Sequence, residues 1–228
     1  MTKEKIFQIV GIVVVVGVVG GLAFFGANKW HKQPVAEKSP SVATVNGVVL
    51  TQADFDTQLA TTLTTLKSQG VNTEDPTKLA EVKAQVLNDM ISNELVAEEI
   101  AKEGIKTTDS DVETQYQTIL TQVGGADQLK TQLASANMTD TQLRTNISKQ
   151  LTIKAYLLKH IDMNTATASP TEISKFYDDN VKGQKGAPTL KDITDQIKQQ
   201  IINTKQQLLI NTFIASLREK AKVETTLK

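Results

Sequence analysis

A mainly α-helical chain, its folded part set behind one N-terminal apolar span, is the fold class this sequence predicts. Three observations carry that reading. Ile6 to Phe25, IFQIVGIVVVVGVVGGLAFF, is an almost unbroken apolar run whose one strongly polar side chain is Gln8. Behind it, aliphatic residues recur three and four positions apart in segment after segment, the spacing of a helix with one buried face. Most of those segments open on Thr, Ser or Asp, followed by proline or by an acid or amide three residues on, which are helix-start signals.

The apolar run has the length of a bilayer crossing, since a helix of its size is about 30 Å long. It reads as a transmembrane anchor, with Ile6, Val13, Val16 and Phe25 among its anchor residues. A cleaved signal peptide is the competing reading, because Lys3 and Lys5 precede the run and Gly21-Leu22-Ala23 supplies small residues. The length of the run and the bulky Phe24 and Phe25 just past that point weigh against cleavage. Lys29 and Lys32 balance Lys3 and Lys5, so orientation rests on the short tail ahead of the span. The expectation is a single-pass cell-membrane protein, N-terminus inside and main domain extracytoplasmic, with Trp30 near the interface.

Composition removes several function classes. Lys plus Arg total 25 and Asp plus Glu total 25, so no net charge recruits nucleic acid or an anionic surface. The only arginines are Arg144 and Arg218, which leaves little for bidentate reading of bases or phosphates. Nucleic acid is therefore not an expected partner. With no cysteine there is neither a disulfide nor a thiol nucleophile, and the two histidines, His31 and His160, lie far apart in sequence. No metal site, cofactor or catalytic residue is expected. Sparse aromatics and abundant Thr and Gln point to solvated helices with aliphatic cores.

Taken in order, residues 28–41 are polar, carry Pro34 and Pro40, and form a linker. Ala43 to Leu50 is two β-favouring runs around Asn46-Gly47, a strong hairpin signal. Thr51 with Asp54 opens a helix with the stripe Phe55, Leu59, Leu63, Leu66, and Gly70 ends it. Asp75-Pro76 begins a long helix carrying Leu79, Val82, Val86, Leu87, Met90, Ile91, Leu95, Val96 and Ile100, closed by Gly104. Thr108 with Asp111 starts the next, with Val112, Tyr116, Ile119, Leu120 and Val123, broken at Gly124-Gly125. A short helix with Leu129 and Leu133 follows. Thr139 with Gln142 opens one with Leu143, Ile147, Leu151, Tyr156, Leu157 and Ile161. Ser169-Pro170-Thr171-Glu172 starts a short helix with Ile173, Phe176 and Tyr177, ending by Asn180. Val181 to Ala187 reads as flexible, and Pro188 introduces a last long helix with the stripe Leu190, Ile193, Ile197, Ile201, Leu208, Leu209, Phe213 and Leu217. Val223 to Thr225 is a candidate terminal strand. The breadth of the last stripe, with Gln200 and Thr204 interrupting it, favours burial in the domain over a coiled-coil seam.

The order of these pieces resembles the N-terminal domain of SurA, an architecture shared with PrsA foldases and trigger factor. The resemblance rests on Ala43 to Gly47, Phe55, Leu87 to Leu95, Gly104-Ile105, the Thr108 to Val112 entry, Ser169 to Tyr177 with Asn180, and Ala221 to Glu224. It implies that the terminal helix returns onto the N-terminal helices and that the last strand lies beside the opening hairpin. Relatives insert a parvulin prolyl-isomerase domain between the Tyr177-type helix and the returning helix. Here only Val181 to Ala187 lies between, against about fifty residues for a domain, and neither histidine falls there. The full expectation is thus an N-terminal transmembrane helix followed by a SurA/trigger-factor-like helical domain with a small β-hairpin and a long returning C-terminal helix. Residues 1–27 are a cytoplasmic tail and anchor, 28–41 a linker, and 42–228 the SurA N-terminal-like chaperone domain, with 188–228 its returning helix and strand.

The resemblance implies a chaperone-like binder of unfolded or newly exported polypeptides, without its enzyme. Tyr116, Leu120, Met138, Phe176 and Tyr177 are the expected contacts of a peptide-binding groove, because aromatic and methionine surfaces adapt to varied apolar segments. Their alternative is ordinary core. Glu98-Glu99 and Asp178-Asp179 are adjacent in helices, do not face one another, and read as solvated. Asn46-Gly47 is fully accounted for by a turn, and His160 by a helix end. Two other functions stay open: a membrane-tethered scaffold docking a partner or a second copy through the last helix, and a prolyl isomerase-related foldase.

Overall fold

The computed structural model describes residues 40–136 and 138–226. The Ile6 to Phe25 span, with the anchor residues Ile6, Val13, Val16 and Phe25, and most of the linker lie outside them. Among the described residues no helix is long and apolar enough to cross a membrane. The chain forms two compact units; their described parts are residues 40–156 with 214–226, and residues 157–213.

The first unit opens on a hairpin, β1 (Ser41–Val45) and β2 (Val48–Thr51), turned by Asn46 at φ 48° and Gly47 at φ 91°. Two consecutive left-handed residues are what a two-residue type I′ turn requires, and Asn-Gly is the pair that adopts them at least cost. β3 (Val223–Thr225) completes a sheet of order β2-β1-β3, antiparallel throughout, with Ala43 opposite Thr225 and Val45 opposite Val223. The last strand of the described chain therefore closes the sheet that its first strand starts. Thr226 donates its hydroxyl to the Ser41 carbonyl and its amide to that of Val42 (2.9 Å).

Helix α1 (Gln52–Ser68) starts where Thr51 Oγ1 accepts the Asp54 amide at 3.2 Å, and stops at Gly70, whose φ of 79° lets the Val71 amide turn back to the Leu66 carbonyl. Helix α2 (Pro76–Glu103) is capped by Asp75, which accepts the amides of Thr77 (2.8 Å) and Lys78 (3.0 Å), and ends on Gly104 in the left-handed region. Phe55 and the α2 residues Val82, Val86, Leu87, Met90, Ile91 and Leu95 pack with Val42, Ala43, Val45 and Leu50 into one core. Leu217, Ala221 and Val223 lean on that same core, so the returning helix and last strand complete it, as expected.

Helix α3 (Asp109–Gln122) begins in a reciprocal box between Thr108 and Asp111, α4 (Ala126–Ser135) follows Gly125, and α5 (Asp140–His160) begins in the Thr139–Gln142 box. None of the α3 stripe is fully buried; Val112, Tyr116, Ile119 and Leu120 are half-buried. Thr152 of α5 is buried yet satisfied, donating to the Ser148 carbonyl at 2.8 Å and sharing a hydroxyl contact with Thr107 at 3.1 Å.

In the second unit a short 3-10 turn (Met163–Thr165), not expected from the sequence, precedes α6 (Pro170–Asn180). The Ser169–Glu172 box and Pro170 at the first turn start α6 as expected. Ile173, Val181, Ile193 and Ile197 form the unit's core, joined by half-buried Phe176, Tyr177, Leu190 and Ile201. Val181 corrects the reading of Val181 to Ala187 as flexible. Its side chain is 5% exposed, and the amides of Val181 and Lys182 both reach the Tyr177 carbonyl at 2.9 Å. Pro188 does not open the last helix, α7 (Leu190–Glu219); Thr189 does, its amide and hydroxyl both donating to Asp192. Leu208 also departs from expectation: it is 64% exposed, on a helix whose fully buried residues are Ile193 and Ile197.

Candidate peptide-binding site

Of the five expected contacts, Tyr116, Leu120 and Met138 lie in the first unit and Phe176 and Tyr177 in the second. All five are half-buried. Tyr116 is the most committed. Arg144 of α5 lies over its ring, 3.8 Å from the centroid, and its hydroxyl donates to Asp140 Oδ1 at 2.5 Å. Arg144 also donates from Nε to Asp140 (3.0 Å) and from Nη1 to Glu113 of α3 (2.6 Å). The four side chains fasten α3 to α5. Their titration follows from these contacts: the hydrogen bond to Asp140 holds the Tyr116 phenol above its usual value, and the same bond together with Arg144 holds Asp140 below its own. Glu113 is held low by Gln117 first and then by Arg144.

Leu120 lies one turn beyond Tyr116 on α3. Met138 sits between α4 and α5, its amide bonded to the Leu133 carbonyl at 2.9 Å. Beside the Tyr116 fastening, the start of α3 and the first half of α5 enclose an open cleft of about 550 Å3 lined by Asp109, Ser110, Val112, Glu113, Arg144, Thr145 and Ser148. Its lining is largely polar, with Val112 its aliphatic residue. In the second unit, Phe176 and Tyr177 flank the aliphatic core, and the Tyr177 hydroxyl donates to the Pro188 carbonyl at 2.9 Å, holding the turn between α6 and α7.

The paired carboxylates are engaged rather than poised. Glu98 accepts from Asn46 Nδ2 at 2.6 Å, Glu99 pairs with Lys102, and Asp178 and Asp179 pair with Lys182 and Lys175. Among the described residues no group of three or more His, Cys, Asp or Glu side chains is placed to hold a metal ion. His160 stacks on Phe213, ring centroids 5.6 Å apart.

Three features were not read from the sequence. Asn46 is more than a turn residue: besides Glu98, its Oδ1 accepts the Lys222 amide at 2.8 Å and its own amide donates to the Lys222 carbonyl at 2.9 Å. Arg144, which the sequence marks only as one of two arginines, joins α3 to α5. Among the described residues the large exposed aliphatic side chains are Val48 (41%), Val49 (36%), Leu158 (53%) and Leu208 (64%); the sequence places Val48 and Val49 in the hairpin and Leu208 on a buried stripe, and predicts the exposure of none of them.

These elements define a helical module whose small sheet is completed by the chain's own C-terminal strand. Residues 1–157 match the model of the SurA-like N-terminal domain, and the chain belongs to that family. A solved structure from Campylobacter jejuni, described in work on the virulence factor PEB4 and the periplasmic protein Cj1289 as two structurally related SurA-like chaperones, has a similar fold. It is 14% identical, with a TM-score of 0.52, over 82% of this chain and 99% of that one. No curated protein sequence matches this chain.

Proposed function

We propose that this protein is a membrane-anchored, extracytoplasmic chaperone that holds unfolded or newly exported polypeptides. The observation that carries the reading is membership of the SurA-like N-terminal domain family, which spans residues 1–157. The similar Campylobacter jejuni structure comes from work that describes PEB4 and the periplasmic protein Cj1289 as SurA-like chaperones. The Ile6 to Phe25 run supports an anchor with residues 1–27 as tail and span, and 28–41 as the linker to the domain. Binding in this mode needs no cofactor. Burial of a few client side chains at about 25 cal/mol per Å2, less the cost of ordering the client, yields weak and reversible capture. Tyr116, Leu120, Met138, Phe176 and Tyr177 remain the nominated contacts, each half-buried and so partly accessible.

Prolyl isomerisation has no support in the chain's layout. The connection from α6 to α7 runs only from Val181 to Thr189, too short for an inserted domain of about fifty residues or more. One observation favours a second reading, a scaffold docking a partner or a second copy through the last helix: Leu208 of α7 is exposed. The two are separated by reconstituting the full chain in nanodiscs and following light scattering from a chemically unfolded, aggregating client. Suppression at stoichiometric amounts, relative to empty nanodiscs, is expected. No suppression by a chain shown folded by circular dichroism removes the chaperone reading, and the scaffold reading then predicts concentration-dependent association in sedimentation.

A further inference from the structure

The sheet has two edges, and they are built differently. On the outer strand β3, Glu224 is charged and pairs with Lys222 at 3.0 Å, the kind of residue that discourages another strand from adding. β2 is Val48-Val49-Leu50-Thr51, without charge or proline; the irregularity in its ladder with β1 falls between Ser41 and Ala43, away from Val49, and Val48 and Val49 are two of the four large hydrophobic residues left exposed among the described residues. Its backbone is also aimed outward. The amide of Asn46 reaches Lys222 and the carbonyl of Val42 receives Thr226, so residues 42, 44 and 46 turn their backbone groups toward β3. Ala43 and Val45 then serve β2, bonding Leu50 and Val48, and the Thr44–Val49 pair is not bonded across the ladder. The amide and carbonyl of Val49 thus point away from the sheet, on an edge without a neighbouring strand among the described residues.

We propose that the open edge of β2 is a β-augmentation site that takes an extended, uncharged segment of an unfolded polypeptide, with β-branched or aliphatic residues at alternate positions. Val49 supplies the backbone donor and acceptor, and Val48 and Val49 give apolar contact on the two faces of the added strand. A second copy of this chain is the weaker occupant: pairing of two four-residue strands buries on the order of a few hundred Å2, well below the roughly 1,200 Å2 of a stable specific interface. A contact this small suits transient capture. The inference rests on the chaperone reading and assigns it a binding mode.

The test uses the full chain in nanodiscs and a fluorescein-labelled peptide of alternating Thr and Val with a lysine at each end, read by polarisation. A counterpart peptide N-methylated at every central residue has no backbone donors there. The expected result is binding of the unmethylated peptide at least about tenfold tighter than its counterpart, because strand addition depends on main-chain hydrogen bonds. Val49→Pro removes the outward amide and the valine side chain together, changes that an edge strand tolerates, and should weaken the peptide by at least a similar factor while the circular dichroism spectrum is unchanged. Equal binding of the two peptides to wild type, a measurement independent of the variant's folding, overturns the proposal. So does wild-type affinity in a folded Val49→Pro chain, or self-association in sedimentation that this change abolishes. If wild type still suppresses client aggregation in those cases, only the edge assignment falls. If wild type neither binds peptide nor suppresses aggregation, the chaperone reading falls first and the edge assignment with it.

Discussion

Asn46 concentrates several demands in one residue. It must adopt φ 48°, give Nδ2 to Glu98 of α2 and accept the Lys222 amide on Oδ1, so the same side chain that permits the turn ties it to a helix and to the chain's end. Asparagine is the residue for which the left-handed conformation is cheap because its short polar side chain bonds locally. The two roles separate by substitution. Asn46→Gly keeps the backbone freedom and loses only the side-chain bonds, an expected cost of about 1 kcal/mol at this exposed position. Asn46→Ala adds the left-handed penalty, a further cost of about 1 kcal/mol or more. Urea unfolding of both variants checks the pair, and a glycine variant as stable as wild type would show that the ties to Glu98 and Lys222 contribute nothing.

Helix starts are the level at which this sequence speaks most clearly. Thr51, Asp75, Thr108, Thr139 and Ser169 each cap the helix they precede, because a cap is a local event, settled by residues two or three apart. At Thr189 the signal is masked by Pro188, because proline usually marks the first turn of a helix and here sits ahead of the cap. What periodicity cannot report is the partner. The α3 stripe gave the correct face, but that Tyr116 would lie under Arg144 depends on residues from two helices, and the burial of Val181 depends on Ile193 and Ile197 of the helix that follows. The candidate site was accordingly far less legible than the fold. A cap also has a measurable consequence at the start of α6. Glu172 accepts the Ser169 amide and hydroxyl and pairs with Lys205 of α7 at 2.6 Å, while Lys205 donates to the Thr167 carbonyl. The Lys205 hydrogen bond foremost, then the two from Ser169, lower its carboxyl from the usual 4.5 to about 2. A folded-state value below the unfolded one stabilises the fold above the unfolded pKa, and that stability is lost as the carboxylate protonates. Glu172→Gln should therefore be less stable than wild type at neutral pH, with the difference closing as pH falls from about 4.5 toward 2, followed by thermal melts across that window. A difference independent of pH would mean the carboxylate charge is not what the helix start uses.

Across the whole molecule the governing fact is that the two ends of the described chain meet. Ala43 pairs with Thr225 and Val45 with Val223, so the central strand of the sheet lacks one neighbour until the last residues are in place. Closing so long a loop costs entropy that grows only slowly with length, but the contacts that repay it form late, since they join the most distant parts of the sequence. Until then β1 presents a bare edge beside Val42, Ala43 and Val45, each at most 1% exposed once the sheet is complete. Leu217, Ala221 and Val223 also stay off the core that the hairpin, α1 and α2 build. A chain ending at Lys220 keeps every cap and every helix, yet loses β3, the Asn46 and Thr226 ties, and the cover of Ala221 and Val223. Its expected loss is about 3 kcal/mol or more, from apolar area returned to water and backbone groups left unpaired on β1. Urea unfolding should show a lower midpoint, with a rise in binding of a hydrophobic dye before the main transition as the Val42 to Val45 edge opens. If the shortened chain unfolds at the wild-type midpoint and binds no extra dye, the last strand is an ornament on a core that is complete without it, and the returning helix alone closes the fold.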